Sequence, residues 1–351
     1  MADVGQREKA VLDWLADQRG AMLALLETLV NTDSGSYDKA GVDKVGAHLR
    51  SFLESHGIPC ETIPNARFGD ALRATVTNGA GAASNSTILV MGHRDTVFPK
   101  DEASRRPFRI ENGRAYGPGV CDMKAGLVMN AFVLAALKRA GAAPAPVVGL
   151  FTADEEIGSP SGRPLIEAEA RKARAVFNAE PGRPHNAVVT GRKGGIFMRL
   201  AVAGKAAHSG ANFGDGISAI EELARKITAL HALTDLDKGV TVNVGKIAGG
   251  QTVNTVAPFA EAEVDLRFVT PADRDAAMAE IERIVRTSFV PGSRAQIEIA
   301  AEFLPLVPGE RSQALFEHYA ACSAALGTPV ESQFTGGCAD SGFAAAVGAP
   351  T

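Results

Sequence analysis

The chain has 351 residues, 46% hydrophobic and 22% charged, with a formal net charge of -4. A length above 300 residues exceeds what one ordinary core fills, so two domains are expected. The weak negative charge gives no reason to expect nucleic acid or an anionic membrane as a partner, no apolar run reaches the roughly 18 residues that span a bilayer, and the charged N-terminal stretch is no signal peptide.

Apolar spacing predicts a helix from Gln6 to Val30 with a turn boundary near Gly20, and a second from Gly41 to His56. Ser86–Met91 and Val147–Thr152 read as buried strands, separated by a helix from Asp122 to Arg139 that is apolar nearly all round and is closed by Gly141. A helix over Leu165–Ala173 and a strand over Ala175–Asn178 follow. Strands alternating with helices argue for an α/β catalytic domain with a mostly parallel sheet. From Gly194 the pattern changes to strand (Ile196–Val202), helix (Gly216–His231), two strands (Val240–Ile247, Ala260–Phe268), helix (Pro271–Thr287) and strand (Ala295–Ala301). That β-α-β-β-α-β order is the ferredoxin-like arrangement of an inserted domain. The expected division is residues 1–192 and 305–351 for one domain and 193–304 for the other, with a helix over Ser312–Leu326 in the returning segment. Cys60, Cys121, Cys322 and Cys338 form no CxxC pair, which together with the missing export signal points to a reducing cytoplasm.

The chemistry gathers at strand ends. The first buried strand runs into His93-Arg94-Asp95, the second into Asp154-Glu155-Glu156 and the third into Glu180-Pro181-Gly182. Open α/β sheets place their ligand sites beyond the carboxyl ends of parallel strands, so all three segments fall at one edge. Asp122 joins them after the glycine-rich loop Gly117-Pro118-Gly119. Imidazole and carboxylate donors brought together in this way suit a catalytic metal.

His93-Arg94-Asp95-Thr96-Val97 resembles the H-x-D-T-V motif of the M20 peptidase family. Gly117 to Gly126 is similar to its G-x-G-x-x-D-M-K-x-G motif, and Thr152 to Ser159 to its T-x-D-E-E-x-G-S motif. The resemblance is strongest to the glutamate-carboxypeptidase branch. It implies two zinc ions per subunit: His93 and Glu180 on one, Glu156 on the other, and Asp122 bridging across a cis Asp122–Met123 bond. It also implies Glu155 as general base and Asp95 as the carboxylate that fixes the His93 ring. A Glu at position 180 tilts the substrate toward one with a free carboxylate.

Gly204 to Gly210 resembles the family's G-x-A-x-H-x-G segment, which implies that His208 stabilises the oxyanion and that the inserted domain is a lid through which a homodimer forms. Asn254 and Arg267 are implied as contacts to the substrate backbone and carboxylate. Gly336 and Gly337, in Thr335 to Gly342, are implied to belong to a substrate loop. Relatives complete the second zinc with a histidine beyond this loop. The chain ends at Thr351, so only Asp122 and Glu156 are expected at that position. The implied activity is hydrolysis of an amide bond in a small N-acyl amino acid or dipeptide-like molecule. The alternatives are an acetylornithine deacetylase-like deacylase, or an inactive chain serving as a binding module.

Overall fold

A computed structural model describes residues 5–77, 87–141, 143 and 145–351. Helices α1 (Gln6–Asp17), α2 (Arg19–Val30) and α3 (Lys39–Ser55) come first, followed by strands β1 (Cys60–Ile63), β2 (Ala71–Val76) and β3 (Thr87–His93). The short helix α4 (Glu102–Arg105) and the hairpin β4 (Arg109–Glu111) and β5 (Arg114–Tyr116) lead to α5 (Ala125–Ala140), β6 (Val147–Thr152), α6 (Gly162–Ala170), β7 (Ala173–Asn178) and β8 (Ala187–Arg192). Next come β9 (Gly194–Ala203), α7 (Ala219–His231), β10 (Thr241–Gly249), β11 (Phe259–Phe268), α8 (Pro271–Arg286) and β12 (Arg294–Phe303). The chain closes with α9 (Glu310–Ala325), β13 (Glu331–Thr335) and α10 (Ser341–Ala346). The first expected helix is two, because the chain turns at Gln18 rather than at Gly20. Ser86, where a buried strand is expected to start, lies outside the described residues.

Two compact units result: Met1–Gly191 with Pro308–Phe334 and Ala339–Thr351, and Arg192–Val307 with Thr335–Cys338. The first unit is built on a five-stranded sheet of order β1-β2-β6-β3-β7. The expected mostly parallel sheet is corrected here: β3 runs parallel to β6 and to β7, whereas β2 is antiparallel to both β1 and β6. The antiparallel half is invisible to hydrophobic patterning because β1 is half exposed and the apolar run of β2 is broken by Arg73 and Thr75. The parallel half places the ends of β3, β6 and β7 side by side, with His93 in register with Thr152 and Met91 with Asn178.

Helix α5 packs on this sheet, with Leu127, Ala131, Phe132, Leu134 and Ala135 inside the core. The segment Val120–Ala140 is long and apolar enough to cross a membrane by length and composition, contrary to the reading of the sequence. Its apolar face is instead consumed by the sheet, and 56% of it is buried inside the fold. The helix begins only at Ala125, because Asp122 and Met123 have non-helical backbone angles and the peptide bond between them is cis. Asp122 is therefore not the cap of this helix. At Gly126 a Cβ would stand 2.0 Å from the Ala179 carbonyl oxygen, so only glycine lets the first turn of α5 approach the end of β7 this closely.

The second unit has element order β9-α7-β10-β11-α8-β12, and its four strands form an antiparallel sheet of order β10-β11-β9-β12. Alternating residues of β9 (Ile196, Met198, Leu200, Val202) and β11 (Ala260, Ala262, Val264, Leu266) face the two helices and form its core. One ion pair is sealed into that core. Lys226 and Glu222, one turn apart on α7, are 0% and 1% exposed at 2.8 Å. The Lys226 ammonium also donates to the Ile284, Val285 and Thr287 carbonyls, so it satisfies the otherwise orphaned C-terminus of α8. Removing one partner of such a pair leaves the other charge buried without compensation. Lys226→Ala is expected to cost about 3–5 kcal/mol of stability, read as a lowered midpoint in denaturant unfolding.

Candidate metal centre

The cluster sits where the three parallel strands end. His93, the last residue of β3, is buried, and its ring is held from both sides. Nδ1 lies 3.0 Å from the Asp95 backbone oxygen and 3.3 Å from its carboxylate, so Nδ1 carries the proton. Nε2 faces three carboxylates, Asp122 at 3.2 Å, Glu180 at 3.6 Å and Glu155 at 3.9 Å, and in the neutral ring it is the nitrogen that can bind a metal. Ligand atoms of His93, Asp122 and Glu180 all lie within 4.8 Å of one another. One imidazole and two carboxylates that converge on a single point are a donor set for zinc or a similar divalent ion. The residues present fit such an ion.

The electrostatics of the cluster point the same way. Burial opposes charge on His93, but the carboxylates of Glu155, Asp122 and Asp95 outweigh it and hold the imidazole pKa well above its ordinary value. Burial, together with Asp340 and Glu180, pushes Glu155 well above the usual carboxylate range. Burial, with Asp122, Asp95 and Glu180 nearby, pushes Glu156 up to about 7. Mutually repelling acids gathered this closely need protons, or a cation in their place.

The supports of the cluster are local and specific. Asp95 is fully buried and receives the Ser36 hydroxyl at 2.7 Å and the backbone N–H groups of Glu155 and Glu156, both at 3.1 Å. One carboxylate thus fixes the His93 ring and the turn that bears both glutamates. Burial raises the cost of its charge, yet the His93 ring, the Ser36 hydroxyl and the Glu156 N–H keep its pKa below the ordinary value. The glycine-rich loop before Asp122 is equally constrained. Gly119 has φ +69°, and a Cβ there would stand 2.5 Å from the Thr96 methyl. Met123 lies directly beneath the histidine, its sulfur accepting the His93 N–H at 3.3 Å.

Glu156 falls outside the three-residue cluster, although its carboxyl feels the charges of His93, Asp122 and Glu180. The remaining sequence-derived candidates belong to the second unit. His208 Nδ1 accepts the N–H groups of Gly210 at 3.1 Å and Ala211 at 3.2 Å, which fixes the proton on Nε2 and makes that atom a donor. Asn254 is beside it: the Ser209 N–H donates to the Asn254 carbonyl at 3.0 Å, and His208 bridges Thr255. Arg267 is already engaged, with Nε on Asp265 at 2.8 Å, Nη1 on the Cys338 sulfur at 2.9 Å and its plane over Phe197. Gly336 has open space around its α-carbon, and the Gly337 carbonyl accepts from Arg192 at 3.5 Å.

Four residues of this region escape sequence reasoning. Ser36 and Asp340 act through contacts distant in the chain. Arg94 is buried at 2% exposure, donates to the carbonyls of Val42, Asp70 and Thr152, and has its pKa pushed down by burial to about 10. Lys124 donates to the Thr32 carbonyl at 2.9 Å from a buried position that lowers its pKa to about 8.

A sequence model of peptidase family M20/M25/M40 matches residues 89–351. Carboxypeptidase G2 of Pseudomonas sp. (strain RS-16) is 28% identical over 350 residues, covering 98% of this chain and 83% of its own length. Acetylornithine deacetylase of Myxococcus xanthus is 30% identical over 311 residues, covering 81% of this chain and 77% of its own. Among solved structures, the M20 family metallo-carboxypeptidase Sso-CP2 of Sulfolobus solfataricus superposes with a TM-score of 0.73 at 19% identity, over 92% of this chain and 87% of that one.

Proposed function

Because the chain belongs to peptidase family M20/M25/M40 and is a hydrolase, we propose that it is a zinc-dependent amidohydrolase acting on a small N-acyl amino acid whose carboxylate is free. The observation that carries this reading is the convergence of His93 Nε2, Asp122 and Glu180 beside the buried Glu155. His93, Asp122 and Glu180 would hold the metal, with Glu156 and Asp122 flanking a second position. Bound zinc supplies Lewis acidity toward the scissile carbonyl and toward water. Glu155 takes the proton from the attacking water and delivers it to the leaving amine, a task suited to a carboxylate whose burial lifts its pKa well above the usual carboxylate range. Asp95 keeps His93 in the tautomer that offers Nε2. His208, with its proton fixed on Nε2, is assigned the role of oxyanion donor. The strand order of the second unit supports reading it as a ferredoxin-like domain.

Similarity to carboxypeptidase G2 favours a carboxypeptidase, which with the motif resemblance to the glutamate-carboxypeptidase branch makes an N-acyl glutamate the first choice of substrate, and similarity to acetylornithine deacetylase favours a deacylase acting on an acylated basic amino acid. The first is preferred because the resemblance spans more of the chain. Hydrolysis of an N-acyl glutamate and of N-acetylornithine by the zinc-loaded protein decides between them. Faster turnover of the glutamate compound is expected, and equal or slower turnover would remove this substrate class.

A further inference from the structure

Glu155 stands in a tight turn, Asp154–Ser159, between β6 and α6. A base held loosely loses catalytic power, since proton transfer depends on a fixed heavy-atom separation. Asp95 accounts for one end of the turn, through the backbone N–H groups of Glu155 and Glu156. The other end is held by a residue almost two hundred positions away. Asp340, at the start of α10, accepts a hydrogen bond from the Ser159 hydroxyl, and the Thr152 hydroxyl lies 3.4 Å from its other carboxylate oxygen. Thr152 is the last residue of β6 and is in register with His93. Ser159 itself has φ +53°, a backbone conformation that few non-glycine residues adopt without outside support.

We propose that Asp340 is a positioning residue for Glu155, fixing the turn that carries it by holding Ser159 at the end of the turn opposite Asp95. The observations favour this over a filler role. Asp340 is 3% exposed, and among the described residues hydroxyl groups are the donors to its carboxylate. Burying a carboxyl is costly, and burial pushes its pKa up to about 7. Ser159, fully buried, points its hydroxyl at this carboxyl. The hydrogen bonds of Asp340 go to the ends of the turn's backbone segment, through Ser159 and Thr152, while its charge also reaches Glu155 through space.

The inference rests on the reading of Glu155 as base, and its test separates the two. Asp340→Ala and Ser159→Ala are each expected to lower kcat by about 10- to 100-fold, the usual effect of losing an outer support, with KM and zinc content unchanged. The double variant should be no worse than either single one, because both remove the same contact. Asp340→Asn should recover most of the activity, since its amide oxygen still accepts from Ser159. In the zinc-free protein, hydrogen exchange at the Glu155 and Glu156 amides should accelerate in Asp340→Ala and stay slow in Asp340→Asn. Wild-type kcat in Ser159→Ala, additive losses in the double variant, or unchanged exchange at those two amides would overturn the proposal. So would an Asp340→Asn variant as impaired as Asp340→Ala, because charge and not position would then matter. If the wild-type protein hydrolyses no N-acyl amino acid, the functional reading fails, and the exchange rates still decide the role of Asp340.

Discussion

Replacing Glu155 with glutamine is expected to lower kcat by about 10²–10⁴-fold, the range that a positioned general base contributes, while zinc content and fold remain those of the parent. The substitution keeps the volume of the side chain and removes only its ability to accept and return a proton. The turn survives because Asp95 binds the backbone of residues 155 and 156 and not the Glu155 side chain. Steady-state kinetics alongside zinc content by mass spectrometry checks this. A variant with normal zinc and near-normal kcat would place the base elsewhere. A variant that loses zinc would mean that Glu155 is a ligand, a role its 3.9 Å separation from His93 Nε2 leaves to Asp122 and Glu180.

The second large effect belongs to His93. His93→Ala removes the nitrogen donor of the cluster and leaves Asp122 and Glu180 facing each other across a cleft already crowded with acids. Zinc affinity should fall by well over 100-fold, beyond what losing an outer support costs, and activity should disappear with it. Equilibrium zinc titration measures this directly. The same titration on the parent should depend on pH. Binding requires a neutral His93 and ionised carboxylates. The zinc-free His93 is held above its ordinary pKa and Glu156 stands at about 7, so protons compete more strongly as pH falls and affinity should drop below neutrality.

Much of the site is legible in the sequence because its parts lie within short segments. His93 and Asp95 are two residues apart, Glu155 and Glu156 adjacent, and each segment follows an apolar run that can only be a buried strand. The edge on which they meet follows from parallel pairing, and β3, β6 and β7 pair in that way. What stays hidden is whatever depends on contacts between remote segments. Ser36 reaches Asp95 across 59 positions and Asp340 reaches Ser159 across 181, and nothing in the neighbourhood of either residue announces its partner. Arg94 reads as an ordinary polar residue between two chemically loaded ones, yet it is buried because three backbone carbonyls surround its guanidinium. The mixed character of the sheet is hidden for another reason. The strands β1 and β2 carry too little apolar pattern to be distinguished from a loop, so the alternation of the later strands and helices dominates the reading.

The second unit is legible as a sequence of elements because its strands alternate over 9 or 10 residues and α8 opens with a capping box at Thr270 and Asp273. Its sealed Lys226–Glu222 pair is not. An i, i+4 pair of opposite charge normally reads as a solvated helix face, and only packing of α7 against α8 makes it internal.

The most direct test of the central claim is release of the amino acid from an N-acyl glutamate at pH 8, by one preparation assayed as zinc-loaded, chelated and zinc-restored protein. The account predicts turnover that chelation abolishes and zinc returns. A rate indifferent to chelation, or no release by protein shown to hold zinc, would contradict it.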